Sequence, residues 1–87
     1  MIFNIDELKK KIIYRSTYRG TKEMDALISS FTKQIMHDLN VDELVNLSNL
    51  LDIDDENLYK FNQGLSPEVD IEENKVSKLF KAFKYNK

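Results

Sequence analysis

The chain has 87 residues and no cysteine, and its 13 lysines and arginines against 15 aspartates and glutamates give a formal net charge of −2. This composition excludes a disulfide framework and a cysteine–zinc site, and it lacks the basic excess of a nucleic-acid binder. No apolar run approaches the ~18 residues that a membrane-spanning helix needs. We therefore expect one domain over residues 1–87 that does not insert into a membrane.

The first predicted helix covers about residues 4–18 and ends before Gly20. Its apolar positions recur at helical spacing, and they are Ile5, Leu8, Ile12 and Ile13. Glycine adopts positive φ without a Cβ clash, so we expect Gly20 to close this helix in the left-handed conformation.

The second predicted helix begins near Thr21 and carries the strongest periodic signal in the chain. Its apolar stripe consists of Met24, Leu27, Ile28, Phe31, Ile35 and Leu39. Asn40 and Glu43 then form a capping-box pattern that predicts the start of a third helix. The buried face of that helix should carry Leu44, Leu47, Leu50 and Leu51.

Two shorter helices complete the predicted fold. Asp54 or Asp55 can cap a fourth helix that ends at Gly64, and a loop containing Pro67 leads to a last helix over about residues 72–85. Their apolar faces carry Leu58, Tyr59 and Phe61 in the fourth helix and Val76, Leu79, Phe80 and Phe83 in the last. The pattern therefore predicts an all-α fold, a compact bundle of five short helices.

Residues that could carry catalysis or hold a metal are scarce. His37 is the only histidine, and no acidic residue lies at helical spacing to orient it as a base. Residues 52–63 begin like a calcium-binding loop, but Asn57 stands where the loop needs glycine and Gln63 where it needs glutamate. We predict no catalytic residue and no metal site, and we interpret the chain as a protein that is not an enzyme.

The corner between the first two helices is the remaining candidate for function. Tyr14, Arg15, Tyr18 and Arg19 crowd the end of the first helix. Cations there complement the helix dipole, a contribution of about 0.3–1 kcal/mol each that needs no partner. An exposed arginine beside aromatic rings is also typical of an interaction hot spot. The residues leave both interpretations open, a structural corner and a docking surface.

This corner resembles the N-terminal signature of the succinate dehydrogenase assembly factor 2 family, the SdhE/Sdh5 flavinylation factors. The family motif RGxxExD matches Arg19, Gly20, Glu23 and Asp25 within IIYRSTYRGTKEMDALISSF. The acidic and aromatic segment LDIDDENLYKFNQG is also similar to family members, and the likeness extends over about residues 11–87. The chain departs from the usual family pattern immediately before the arginine and immediately after the glycine.

The resemblance implies a five-helix fold and a role in binding one client. Such proteins bind the flavoprotein subunit of succinate dehydrogenase, and in some organisms that of fumarate reductase, and promote covalent attachment of FAD to it. FAD is then the cofactor of the client, and the helper binds no cofactor stably. The residues implicated in partner binding are Tyr14, Arg15, Tyr18, Arg19, Gly20, Glu23 and Asp25.

The expected roles of these residues follow from the resemblance and from simple geometry. Arg19 would pair with a carboxylate or carbonyl of the client, and Glu23 would face the client. Asp25 would orient the Arg19 turn or cap a neighbour. We expect a monomer when the chain is free, in the bacterial cytoplasm or, in a eukaryote, the mitochondrial matrix. The alternatives are a generic helical adaptor and a small DNA-binding domain, which the acidic balance disfavours.

Overall fold

The computed structural model describes residues 4–17 and 19–84, and these residues form five α-helices. They are α1 (Ile5–Thr17), α2 (Lys22–Ile35), α3 (Val41–Leu51), α4 (Asp55–Asn62) and α5 (Lys75–Ala82), with a 3₁₀ turn (Met36–Asp38) after α2. No strand occurs in the described residues, so the predicted all-α bundle is confirmed. None of these helices is long and apolar enough to cross a membrane.

Side-chain caps determine where the helices begin. Asn40 and Glu43 form the predicted capping box, in which each side chain accepts a hydrogen bond from the backbone N–H of the other, at 2.8 and 3.0 Å. Asp54, and not Asp55, caps α4. A second capping box between Asn74 and Ser77 starts α5 three residues later than the sequence predicts. This start is less apparent in the sequence, because serine at the third helical position is a weaker capping signal than glutamate.

The hydrophobic core follows the long stripe of α2 and the leucine face of α3. The buried apolar residues are Ile12, Met24, Leu27, Ile28, Phe31, Ile35, Leu44, Leu47, Leu50, Leu51, Leu58, Val76 and Phe80. Four residues on the predicted apolar faces are instead partly exposed, by 39% for Ile5, 44% for Ile13, 48% for Tyr59 and 38% for Leu79. Ile13, Tyr59 and Leu79 are each next in sequence to a fully buried residue, and one step along a helix turns the side chain by about 100°. α1, α4 and α5 therefore bury narrower faces than predicted.

The C-terminus of α5 is held by a buried amide. The Asn62 side chain is 2% exposed, and its Nδ2 donates to the carbonyl oxygens of Phe80 at 2.8 Å and Phe83 at 2.9 Å. These carbonyls lie at the end of α5, where helical donors run out. The Phe80 carbonyl also accepts from the Phe83 N–H at 3.2 Å. The backbone of Phe83 is extended, so α5 ends before the predicted residue 85, which lies outside the described residues.

The first capping box predicts a specific response to acid. The Asn40 backbone N–H, and then Lys75, lower the pKa of Glu43, so the folded state binds this proton less readily than the unfolded chain. The resulting stability is present above the ordinary pKa of a glutamate and is lost as pH falls through the lowered value. Glu43→Gln keeps the capping hydrogen bond but cannot titrate. Between neutral and acidic pH, we expect the melting temperature of the variant to fall less than that of wild type. Equal falls would contradict this account.

Candidate functional site

The Arg19 side chain is almost enclosed at the corner between α1 and α2. Its side chain is 10% exposed, and its Nε donates to Oδ1 of Asp55 at 2.7 Å. Nη1 donates to the carbonyl oxygens of Arg15 at 3.1 Å and Leu51 at 3.0 Å, and Nη2 donates to that of Ile53 at 3.0 Å. The guanidinium is therefore occupied by partners within the chain.

These bonds join three helices through one cation. The Arg15 carbonyl belongs to the last turn of α1, and Leu51 is the last residue of α3. Such carbonyls lack helical donors and carry the negative end of the helix dipole, so a buried guanidinium satisfies and neutralises both ends. Asp55, the first residue of α4, supplies the opposite charge. Arg19 is thus not the exposed arginine of the hot-spot interpretation, because the carbonyls of Arg15 and Leu51 and the carboxylate of Asp55 bind it within the chain.

Gly20 approaches the same carboxylate from its backbone. Its N–H donates to Oδ2 of Asp55 at 2.7 Å, so each carboxylate oxygen accepts one bond from the corner. A Cβ on Gly20 would lie 3.0 Å from this oxygen, closer than ordinary contact. Among the described residues only Gly64 has positive φ, at 78°. The predicted left-handed conformation of Gly20 is therefore wrong: close approach to Asp55, and not an unusual φ, is what favours glycine here.

Two adjoining cavities border this corner. A polar cavity of about 410 Å³ is lined by Tyr14, Arg15, Arg19, Gly20 and residues 51–55. A groove of about 530 Å³ with a mainly apolar lining is formed by Thr21, Glu23, Met24, Asp55, Glu56, Tyr59, Lys60 and Leu65. Asp55 lines both, so the residue that holds Arg19 and Gly20 also lines the groove.

The residues predicted to bind a partner lie in different places at this corner. Four of them border the polar cavity, where Arg15 also forms an ion pair with Asp52, whereas Glu23 is exposed in the groove. Asp25 borders neither cavity, and its buried Oδ1 has no hydrogen-bond partner among the described residues. Its expected role at the Arg19 turn is filled by the carboxylate of α4. Tyr18 lies outside the described residues, and the predicted binding role of each residue stays a prediction.

The acidic segment before α4 is used within the fold. Oδ1 of Asp54 accepts from the Asn57 side-chain amide at 2.8 Å, and this bond, with a further one from the Asn57 backbone, lowers the pKa of Asp54. Among the described residues no group of three or more histidines and acids could hold a metal. His37 is exposed in the 3₁₀ turn. The described residues thus form a small helical bundle with two adjoining surface cavities at the motif corner.

A comparison with protein families gives a match for this helical bundle. A family model described as the flavinator of succinate dehydrogenase matches residues 10–84, which is most of the chain. The chain therefore belongs to the family of flavinators of succinate dehydrogenase, and the family prediction made from the RGxxExD motif is confirmed. Comparisons with curated proteins and with solved structures give no match.

Proposed function

We propose that this protein binds the flavoprotein subunit of succinate dehydrogenase and promotes covalent attachment of FAD to a histidine of that subunit. The observation that carries the proposal is the family match over residues 10–84 together with the placement of Arg19, Gly20 and Glu23 beside two adjoining cavities. The flavoprotein subunit of fumarate reductase is a second candidate client. We expect a monomeric helper in the compartment where the client matures, the bacterial cytoplasm or the mitochondrial matrix.

The proposed mechanism is one of positioning. Covalent attachment needs the flavin 8α-methyl group and the client imidazole to be held in attack geometry. A binding protein favours that arrangement only by binding it more tightly than the open client. The reacting atoms belong to FAD and the client, so the helper needs neither a catalytic residue nor a stably bound cofactor of its own.

The geometry of the corner changes the role proposed for Arg19. Because its guanidinium is satisfied within the chain, we propose that Arg19 supports the docking surface through Asp55 and does not pair directly with the client. Glu23, which is exposed at the groove, remains the motif residue placed to face the client.

Covalent flavin in co-expressed client tests the proposed function. The chain and its host's flavoprotein subunit are expressed together, and flavin fluorescence is measured on the client band of a denaturing gel. We expect the wild-type chain to raise the signal and Arg19→Ala to lower it. A client that co-purifies with the chain but gains covalent flavin no faster than without it would contradict the proposal and favour a generic adaptor.

Glu23→Gln separates a binding role from a structural role. The side chain is exposed in the groove, so loss of its charge should weaken client binding several-fold and lower the stability by no more than about 0.3–1 kcal/mol, the contribution of an acid in the first turn of a helix. Glu73→Gln is the matched control, because Glu73 lies outside both cavities and pairs with Lys78 at the surface. Dissociation constants measured for both variants against the purified client should differ. Equal affinities would exclude Glu23 from the interface.

A further inference from the structure

Two large side chains in the apolar groove beside the motif are about half exposed to solvent. Tyr59 is 48% exposed and Leu65 is 57% exposed, and they face the same groove as the buried Met24. The groove has a volume of about 530 Å³ and is open to solvent, so it has room for a side chain of a partner. An apolar floor flanked by partly exposed tyrosine and leucine suits a protein segment with a large apolar side chain.

The charges at the rim restrict the occupant. Two acids whose charge Arg19 does not compensate, Glu23 and Glu56, line the groove against one ammonium group, that of Lys60, whereas Asp55 is paired with Arg19. Lys60 Nζ lies 3.6 Å from Glu56 Oε1 and also 3.7 Å from Glu68 Oε1, so its charge is shared between two acids. The rim is therefore acidic, and complementarity favours a basic residue beside the apolar side chain.

The same rim argues against two other occupants. The pyrophosphate of FAD is anionic, and the carboxylates at the rim would repel it. A second copy of this chain related by a two-fold axis would bring identical acidic rims together, which is also unfavourable. A protein segment that is both apolar and basic suits the apolar floor and the acidic rim, and the proposed function makes the flavoprotein client the source of that segment.

We propose that this groove receives a short segment of the flavoprotein subunit that carries a large apolar side chain next to a lysine or arginine. This inference rests on the proposed function and identifies the contact surface for it. Asp55 forms one wall of the groove and is held by Arg19 and by the Gly20 N–H. Arg19 and Gly20 are thus positioning residues that keep the wall in place, and Tyr59 and Leu65 contact the client.

Affinity for the purified flavoprotein subunit tests the inference. Leu65→Ser and Tyr59→Ala remove apolar contact from side chains that are about half exposed, and each should weaken binding by about tenfold or more. Leu79→Ser is the matched control, because Leu79 is a partly exposed leucine outside the groove, and its affinity should stay within about twofold of wild type. Melting temperatures measured on the same samples confirm that the variants are folded.

Reversal of one charge at the rim tests the acidic rim separately from the apolar contacts. The Glu56 side chain is 74% exposed, so Glu56→Lys should leave the fold intact. We expect slower association with the client and weaker salt dependence of the association rate. A rate and salt dependence equal to those of wild type would contradict the acidic rim as a recognition element.

The outcomes separate this inference from the proposed function. If wild type neither binds the client nor raises its covalent flavin, both fail. Suppose that wild type binds the client and raises its covalent flavin, and that Leu65→Ser and Tyr59→Ala bind the client as tightly as wild type. The proposed function then stands, and only the proposal that the groove receives the client segment is wrong. A concentration-dependent dimer of the free chain that Leu65→Ser abolishes in sedimentation would show a second copy in the groove and would also overturn the inference.

Discussion

Replacing Asp55 with alanine is expected to lower the free energy of unfolding by about 2–3 kcal/mol, and the melting temperature by roughly 10–20 °C for a chain of this size. The variant leaves the guanidinium of Arg19, which is 10% exposed, without its counter-charge, and it removes the acceptor for the Gly20 N–H. This loss of unfolding free energy is smaller than for a fully buried ion pair because the Asp55 side chain is 26% exposed. Thermal and denaturant unfolding measure the effect.

A neighbouring ion pair supplies the control for this prediction. Asp52 pairs with Arg15, and these side chains are 51% and 36% exposed. Exposed pairs contribute about 0–1 kcal/mol, so Asp52→Ala should change the unfolding free energy little. Equal losses for the Asp52 and Asp55 variants would mean that burial of Arg19 does not determine the stability of the corner.

The second large effect is expected at Gly20. The first atom of a valine side chain would lie 3.0 Å from Oδ2 of Asp55, and the two further methyl groups add to the crowding. Overpacking of this kind costs about 1–3 kcal/mol. Because φ of Gly20 is not positive, Gly20→Val should retain its helical content while it displaces Asp55 and lowers the yield of covalent flavin in the client. Loss of the fold would instead support a purely structural corner.

A double-mutant cycle tests whether Asp55 is the cause. Gly20→Ala should cost about 1 kcal/mol in the wild-type background, since its Cβ crowds the carboxylate. In the Asp55→Ala background the crowding atom is absent, and the cost should fall close to zero. The difference is the coupling energy between the two positions. The same cost in both backgrounds would contradict the close-approach explanation.

The helices and much of the core could be predicted from sequence because their causes are local. The stripe of α2 from Met24 to Ile35 is buried as predicted, and the Asn40–Glu43 capping box forms as its spacing indicates. Periodicity and caps act over a few residues and need no knowledge of tertiary contacts. The exposed positions of Ile13 and Leu79 could not be predicted, because they depend on which narrow face of α1 and α5 meets a neighbour.

The site was predicted less completely because its decisive contact is distant in sequence. Arg19 and Gly20 meet Asp55 across 36 and 35 positions of the chain. Several acids stand close together before and within the start of α4, and periodicity does not say which one faces the corner. A nearly buried arginine requires a counter-charge. That requirement becomes visible only once the burial of Arg19 is known.

In this proposal the structural role and the docking role of the motif meet at Asp55. Arg19 binds the carbonyls at the ends of α1 and α3 and pairs with Asp55, and Asp55 also lines the apolar groove. A change at Gly20 or Arg19 should thus reach the proposed docking surface without a direct contact to the client. The two interpretations that the sequence left open, a corner and a docking surface, are joined in this proposal.

The most direct test is the rate of covalent FAD attachment to the purified flavoprotein subunit, measured with FAD at a temperature where every variant is folded. The proposal predicts that wild type and Glu73→Gln accelerate attachment equally, and that Asp55→Asn, which retains the size of the side chain but loses its charge, accelerates it much less. A wild-type rate equal to the rate without the chain, or an Asp55→Asn rate equal to wild type, would contradict it.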